Sequence, residues 1–297
     1  MATTTALDTD VRRLGQVPEN ITTASILLAA DLEISSVIFP FLRRMNSNFG
    51  VREVSLTPAG GRCPLPRRAI GASIRNVQYQ VGTTWVNLPQ LALEQDEGPA
   101  SNSGYPFGFY IDSGALVLVP RGTSATLRVR YWPQPGALVA TSVCKQITSV
   151  TTSGSNTTLV TGAALSPAPT YIDVISSASH HSEMLMAYAA SYSSGYVVAT
   201  ASLPWETPVV GDWVCTAEQT CIVPCPDELY PALCYLVASN LMLSLGYAKE
   251  AKGMSDEGQR RMALAADTFA PRIQGNPQKV SGGIARTLGR NSTWWRW

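Results

Sequence analysis

From Leu229 to Ala248 the chain carries no charged side chain, and this stretch limits the fold more than any other. Its length would suffice to cross a bilayer. Pro231, Gly246 and the polar residues Ser239, Asn240 and Ser244 argue against lipid. The stretch reads instead as a central helix, apolar nearly all round and buried among other helices. Pro224 and Pro226 close what precedes it. Asp227 and Glu228 put negative charge at its start, where the helix dipole favours it. The helix is expected over 226–247. A second is expected from Ser255, a good cap, to Phe269, with Met262, Ala266 and Phe269 inward and Arg260, Arg261 and Asp267 outward.

A buried helix needs partners, and the other end of the chain supplies one. Thr22 or Thr23 can cap a helix there. Leu27, Ala30, Ile34, Val37, Ile38, Phe41 and Met45 then recur at three- and four-residue steps. Pro40 removes a donor to the carbonyl of Ser36, so a kink or break is expected near it. Gly50 is placed to end the segment in a left-handed conformation. Helices at the two ends can bury their apolar faces on each other, which brings the ends together.

Between them the period changes. Short segments rich in β-branched and aromatic residues, at 51–56, 74–80, 85–88, 108–111, 116–119 and 126–132, read as antiparallel strands, with a hairpin turn within 111–116. Leu127, Val129 and Tyr131 alternate with Arg128, Arg130 and Trp132, so one strand face is apolar and the other cationic. Residues 133–136 mark a boundary. Further strands at 147–151, 157–160, 171–176, 196–202, 213–217 and 221–223 suggest a small sandwich or barrel, with 183–192 either a short helix or an irregular loop.

The fold class is therefore α+β: a helical bundle from both chain ends, antiparallel β regions between, and an extended C-terminal tail. Five parts follow: 1–50 helical, 51–140 β, 141–223 a second β region, 224–275 a helical hairpin, and 276–297 the tail.

Charged residues make up 14% of the chain and its formal net charge is +1. An ordinary domain carries about 25% charged residues. A charge-rich disordered chain is excluded, and no global field points to nucleic acid or to a membrane. No targeting signal is recognised at the N-terminus. The six cysteines include no CxxC, and the two histidines, His180 and His181, are adjacent. No metal site is read from these spacings. Buried free thiols are expected, with a Cys215–Cys225 bridge the alternative. Phosphate-loop, dinucleotide, zincin and hydrolase-elbow motifs are absent from the sequence. A triad built from Asp173 and a histidine, or a carboxylate pair among Glu94, Asp96 and Glu97, has no motif behind it. No enzyme and no cofactor is expected.

The tail carries Lys279, Arg286, Arg290, Trp294, Trp295, Arg296 and Trp297, without apolar periodicity and without an acidic residue. Tryptophan and arginine are the residue types that dominate binding hot spots, so the tail reads as a docking peptide.

Several segments together resemble one family. They are "FPFLRRMNSNF" (39–49), "PLPRRAIGASIRNV" (64–77), "FYIDSGALVLVP" (109–120), "LRVRYWPQP" (127–135) and "PCPDELYPALCYLVASNLM" (224–242). They are similar to head-to-tail connector, or adaptor, proteins of tailed bacteriophages, over most of residues 20–275. The resemblance implies a structural virion protein made in the host cytoplasm. Twelve copies would form a ring under the portal protein and extend the DNA channel, touching genomic DNA without sequence specificity. The ring would carry a tail, nozzle or neck protein below, and its C-terminal tail would enter the portal. No membrane is expected. Arg67 and Arg68, in the family-like stretch, and Arg128 and Arg130, on the cationic strand face, are expected at a subunit interface. The alternative is another neck or tail protein whose β region binds a partner or a glycan.

Overall fold

The computed structural model describes residues 2–45, 49–66, 68–92, 105–122, 125–153, 156–165, 171–177, 184–187, 190–193, 196–199 and 208–269. Its first helix, α1 (Thr4–Gly15), had little sequence signal. Thr3 caps it by accepting from the Ala6 N–H, and Leu7 and Val11, one turn apart, are fully buried. α2 (Thr23–Glu33) starts where expected, with Thr22 accepting from the Ser25 N–H.

The helix does not break at Pro40. It widens into a π-turn (Ile34–Ile38) and continues as α3 (Phe39–Met45). The Phe39 N–H reaches the Ile34 carbonyl, so the ladder has already shifted where proline lacks a donor. Ile26, Ala30, Ile34, Ile38 and Leu42 form the buried stripe, while Leu28 and Leu32 stay exposed. The continuous run 23–45 is long and apolar enough to cross a membrane by length and composition; its stripe is packed in the protein core.

At the other end lie α4 (Tyr230–Ser244) and α5 (Ala248–Phe269). α4 ends just before Gly246, whose φ of +88° suits glycine. α5 begins seven residues before the expected Ser255. Lys249, Glu250 and Lys252 hide the apolar period there, but Ala251 is buried and its carbonyl accepts from Ser239 Oγ at 2.8 Å. α4 is the central element, burying Leu233, Val237, Ala238 and Leu241 among others. A Cβ on Gly15 would lie 2.8 Å from Ala238 Cβ, and one on Gly258 would lie 3.0 Å from Leu236 Cγ. Glycine is what lets α1 and α5 approach α4 this closely. Leu7, Ile26, Ile34, Leu233, Val237 and Met262 belong to one core, so helices from both chain ends are packed together.

The first β region has two sheets. β1 (Arg52–Leu56), β2 (Arg62–Pro64), β3 (Ala69–Val81), β4 (Thr84–Leu88), β5 (Gly108–Asp112), β6 (Ala115–Val119) and β7 (Leu127–Pro133) form a four-stranded sheet in the order β1-β7-β3-β4 and a three-stranded sheet β2-β6-β5. They share a core of Val77, Phe109, Leu116, Leu118, Leu127 and Val129. The β5–β6 hairpin turns at Ser113 and Gly114, both at positive φ, which matches the twist of paired strands.

The second β region holds β8 (Ala137–Leu138), β9 (Lys145–Ser153), β10 (Asn156–Thr161), β11 (Ile172–Ile175), β12 (Met184–Ala187), β13 (Ala190–Ser193), β14 (Tyr196–Ala199), β15 (Trp213–Thr216) and β16 (Gln219–Thr220). The stretch 183–192, expected to be a helix or irregular loop, carries strands β12 and β13. Seven strands pair in the order β12-β11-β15-β9-β10-β14-β13, all antiparallel. β12 and β13 sit at opposite edges, yet three Cα steps separate Ala187 from Ala190 and span at most about 11 Å. The sheet must curl until its edges approach. Ile147, Leu159, Leu165, Ile172, Val174 and Val214 fill the inside. β8 and β16 form a separate parallel pair. The protein is thus mixed α+β, with helices and antiparallel sheets.

Candidate functional site

Two places gather polar chemistry: the outer face of the four-stranded sheet, and an interior joint where the first β region, the second β region and the bundle meet.

On the outer face, β7 turns Leu127, Val129 and Tyr131 into the core and Arg128, Arg130 and Trp132 away from it, as its alternation predicted. Across the ladder stand Glu53 and Ser55 on β1, and Asn76 and Gln78 on β3; Asn87 faces Gln78, and Trp85 faces Gln80, from β4. One carboxylate serves both arginines. Glu53 Oε1 is 3.0 Å from Arg128 Nε, an ion contact without hydrogen-bond alignment, and Glu53 Oε2 accepts from Arg130 Nε at 2.7 Å. The Arg128 guanidinium lies over the Trp85 ring, 4.2 Å from its centroid. Asn87 Oδ1 accepts from the side-chain amides of Asn76 and Gln78 at 3.1 and 2.8 Å.

Arg43 of α3 extends this cationic, aromatic surface. Its guanidinium carbon is 5.9 Å from the Phe39 ring centroid and 5.6 Å from that of Trp132. Burial holds its pKa below the ordinary arginine value. Arg43 Nε and Nη2 and Trp132 Nε1 are buried with no hydrogen-bond partner. Buried donors without acceptors are costly and call for an explanation. Arginine and tryptophan beside amides suit contact with another macromolecule.

Arg68 works inside the chain. It sits at φ +66°, just before β3. Its Nη1 donates to Asp173 Oδ2 at 2.8 Å, with the two side chains only 4% and 1% exposed. Its Nη2 donates to the Gln134 carbonyl at 2.7 Å, and the Gln134 N–H donates back to the Arg68 carbonyl. Asp173 Oδ2 also accepts from the Glu218 N–H at 2.8 Å. Burial pulls the Arg68 pKa down, and the charges of Asp173 and Glu218 oppose that. A buried ion pair therefore links the entrance of β3 to β11 across the 133–136 boundary.

The bundle joins the same region. Both Asp31 carboxylate oxygens accept from the Leu138 N–H, at 2.9 and 3.1 Å, which ties α2 to β8. Burial pushes the Asp31 pKa up, and the Leu138 bond opposes it. The Thr141 hydroxyl lies 3.1 and 2.9 Å from those of Thr4 and Thr5, tying α1 to the turn before β9.

The cysteines depart from expectation. Cys144 and Cys215 form a disulfide with an S–S distance of 2.04 Å; neither free thiols throughout nor a Cys215–Cys225 bridge is what the chain adopts. Cys225 belongs instead to the bundle core with Cys234, and both are free and buried. Cys215 is on β15, whereas Cys225 lies past β16, near α4. The free thiol of Cys221 comes close to the bridge: the sulfurs of Cys144, Cys215 and Cys221 all lie within 4.8 Å of one another, and all three residues are buried. Burial pushes the Cys221 pKa up to about 12. Sequence spacing concealed this group, because Cys144 and Cys215 are 71 residues apart.

The structure brings Arg128 and Arg130 together on one face and sets Arg68 apart in the joint. Arg67, the acidic residues Glu94, Asp96 and Glu97, the two histidines, and the tail from Lys279 to Trp297 lie outside the described residues. Asp173, the aspartate of the invented triad, is committed to Arg68. Sequence reasoning missed Arg43, Asp31 and the sulfur group. Only Arg43 had a local signal, as a cation spaced four residues after Phe39 on a helix.

No protein-family model matches the chain, and no curated protein matches it.

Proposed function

We propose that this chain is a non-enzymatic structural protein of a tailed-phage virion, a head-to-tail connector. Copies form a ring under the portal protein, with twelve the expected number. The ring extends the DNA channel and carries a tail, nozzle or neck protein below. The tail from Lys279 to Trp297 enters the portal. One observation carries this reading: helices from both chain ends share a single core, with two antiparallel β regions inserted between them. That is the family plan the sequence segments resemble.

The surfaces suit a ring. A closed ring of identical copies uses two different patches on each subunit. α2 leaves Leu28 and Leu32 exposed one turn apart, and the sheet face offers Arg128, Arg130, Arg43 and Trp132. A net charge of +1 suits a channel through which DNA must slide without sticking.

The test is the mass of the purified chain, alone and mixed with its portal protein, with and without residues 279–297. Assembly of about twelve copies that depends on the tail, as the reading requires, supports it. A monomer or trimer indifferent to the portal overturns it, and points to a peripheral neck or tail protein whose β region binds a partner or glycan.

A further inference from the structure

The sulfur group of Cys144, Cys215 and Cys221 is built from the turn before β9 and from the stretch that carries β15 and β16. Cys215 is fixed in the middle of the sheet by pairing with Asp173 on β11. Cys221 follows β16, and its carbonyl accepts from the Thr4 N–H at 2.9 Å. The next residue, Ile222, bridges to Thr3. Thr220 Oγ1 donates to the Ile222 carbonyl and accepts its N–H, which locks the turn carrying Cys221. Cys144 ends the turn held to α1 through Thr141. Each of the three cysteines thus sits on backbone held by hydrogen bonds besides the disulfide, and Ile175, Ile222, Val139 and Trp213 pack around them.

We propose that, with the Cys144–Cys215 bond reduced, the three sulfurs bind one thiophilic metal ion of the Zn2+ or Cu(I) class, and that the disulfide is the metal-free form of the same site. The chemistry of the donors selects that class, since soft thiolates prefer such ions and hard cations prefer oxygen. The spacing allows it. Sulfurs each about 2.3 Å from one zinc ion are about 4 Å apart; here the Cys221 sulfur lies within 4.8 Å of both others, and the bonded Cys144–Cys215 pair would separate to that spacing once reduced. Among the described residues no fourth protein ligand joins the group.

The reaction balances in two steps. A thiol or phosphine reductant gives two electrons, and two protons are taken up, to turn the Cys144–Cys215 disulfide into two thiols. The ion then displaces one proton from each of Cys144, Cys215 and Cys221, three in all. Metal binding overcomes the burial that keeps Cys221 protonated, because ligation itself deprotonates a thiol. Loading would secure the turns that hold α1, and so would couple metal content to the seating of the N-terminal helix. The inference is independent of the connector reading.

The experiment uses the full chain, reduced with a phosphine under anaerobic conditions and freed of reductant. It is titrated with Cd2+, whose thiolate complexes absorb in the ultraviolet, and then with Zn2+ in competition with a chromophoric chelator. One ion per chain is expected, with the charge-transfer band and with proton release. The oxidised chain should bind none. Cys221→Ser keeps the disulfide and should weaken binding by more than about 100-fold, beyond the loss a second-shell partner gives. Cys63→Ala and Cys225→Ala should bind as the parent does. A reduced chain that keeps its folded circular dichroism but shows no band overturns the proposal. So does a Cys221→Ser variant that binds as tightly as the parent, or a band that disappears in Cys225→Ala. Because no portal or ring enters the assay, failure here leaves the connector reading standing.

Discussion

The helical bundle and the interior joint are held by different means. The bundle has one apolar core, with small residues where helices cross and no covalent link among its described residues. The joint has a disulfide, a buried arginine–carboxylate pair, and carboxylates accepting from backbone N–H groups. A core of many apolar contacts degrades gradually as contacts are trimmed. A joint of few directional links fails when one partner is removed, because the other is left buried and unpaired. The outer sheet face differs from both: its ion pairs resemble the one in the joint, but water screens them.

The largest effect should come from placing a charge in the bundle. Leu236→Asp sets an unpaired carboxylate against Gly258 at the α4–α5 crossing and should abolish cooperative folding, read by thermal denaturation. A soluble variant with a normal transition would mean that α4 is not the centre of the core. Next comes the joint. Asp173→Ala removes the carboxylate paired with the buried Arg68 guanidinium and should cost about 3–5 kcal/mol by denaturant titration. Replacing both partners with apolar residues should recover much of that loss, and if it does not, the pair is more than a desolvated link.

Reducing the disulfide, in the absence of metal, should lower stability by about 2–4 kcal/mol, because it releases a 71-residue loop in the unfolded chain. The comparison sharpens if hydrogen exchange then rises in β9 and β15 and not in α4. On the outer face, Glu53→Gln should cost under about 1 kcal/mol and the loss should shrink in high salt. A loss as large as that of Asp173→Ala would erase the distinction between the two kinds of pair.

The smallest effect is a pH dependence on the surface of α5. Hydrogen bonds from Arg260 and Arg261 pull the Glu257 pKa down to about 2. A lowered folded pKa means that stabilisation is present above the ordinary value of 4.5 and is lost as the pH falls toward 2. The carboxylate is on the protein surface, partly covered by its two arginine partners, so the effect on stability should be slight and is best followed by titrating the side-chain carbon resonance. A midpoint near the ordinary glutamate value would show that solvent disrupts the two arginine contacts.

Legibility in the sequence followed the range of the interaction. α2, α4 and most strands of the first β region were readable, because their signals lie within a few residues: a threonine cap, a charge-free run, alternation along β7. α1 was missed because its apolar pattern is Leu7 and Val11 among threonines and aspartates. The early start of α5 was missed because only Ala251 is inward among charged neighbours. Arg128 and Arg130 were legible as one face, but Glu53 as their shared partner was not.

By itself the sequence determined where α2, α4 and most strands of the first β region form, that the two ends carry helices with faces to bury, and that β7 divides apolar from cationic. Periodicity and capping are local, and they act on any chain with those residues. Tertiary structure alone decided that Arg68 meets Asp173, that Cys144 pairs with Cys215 beside Cys221, and that Asp31 holds Leu138. Those partners are 105, 71 and 107 residues apart, and Cys221, near Cys215 in sequence, meets Cys144 through the same fold. Across such separations no residue spacing encodes contact. The meeting follows from how a curled sheet, a second sheet pair and a bundle stack, and each link forms only after their cores have packed.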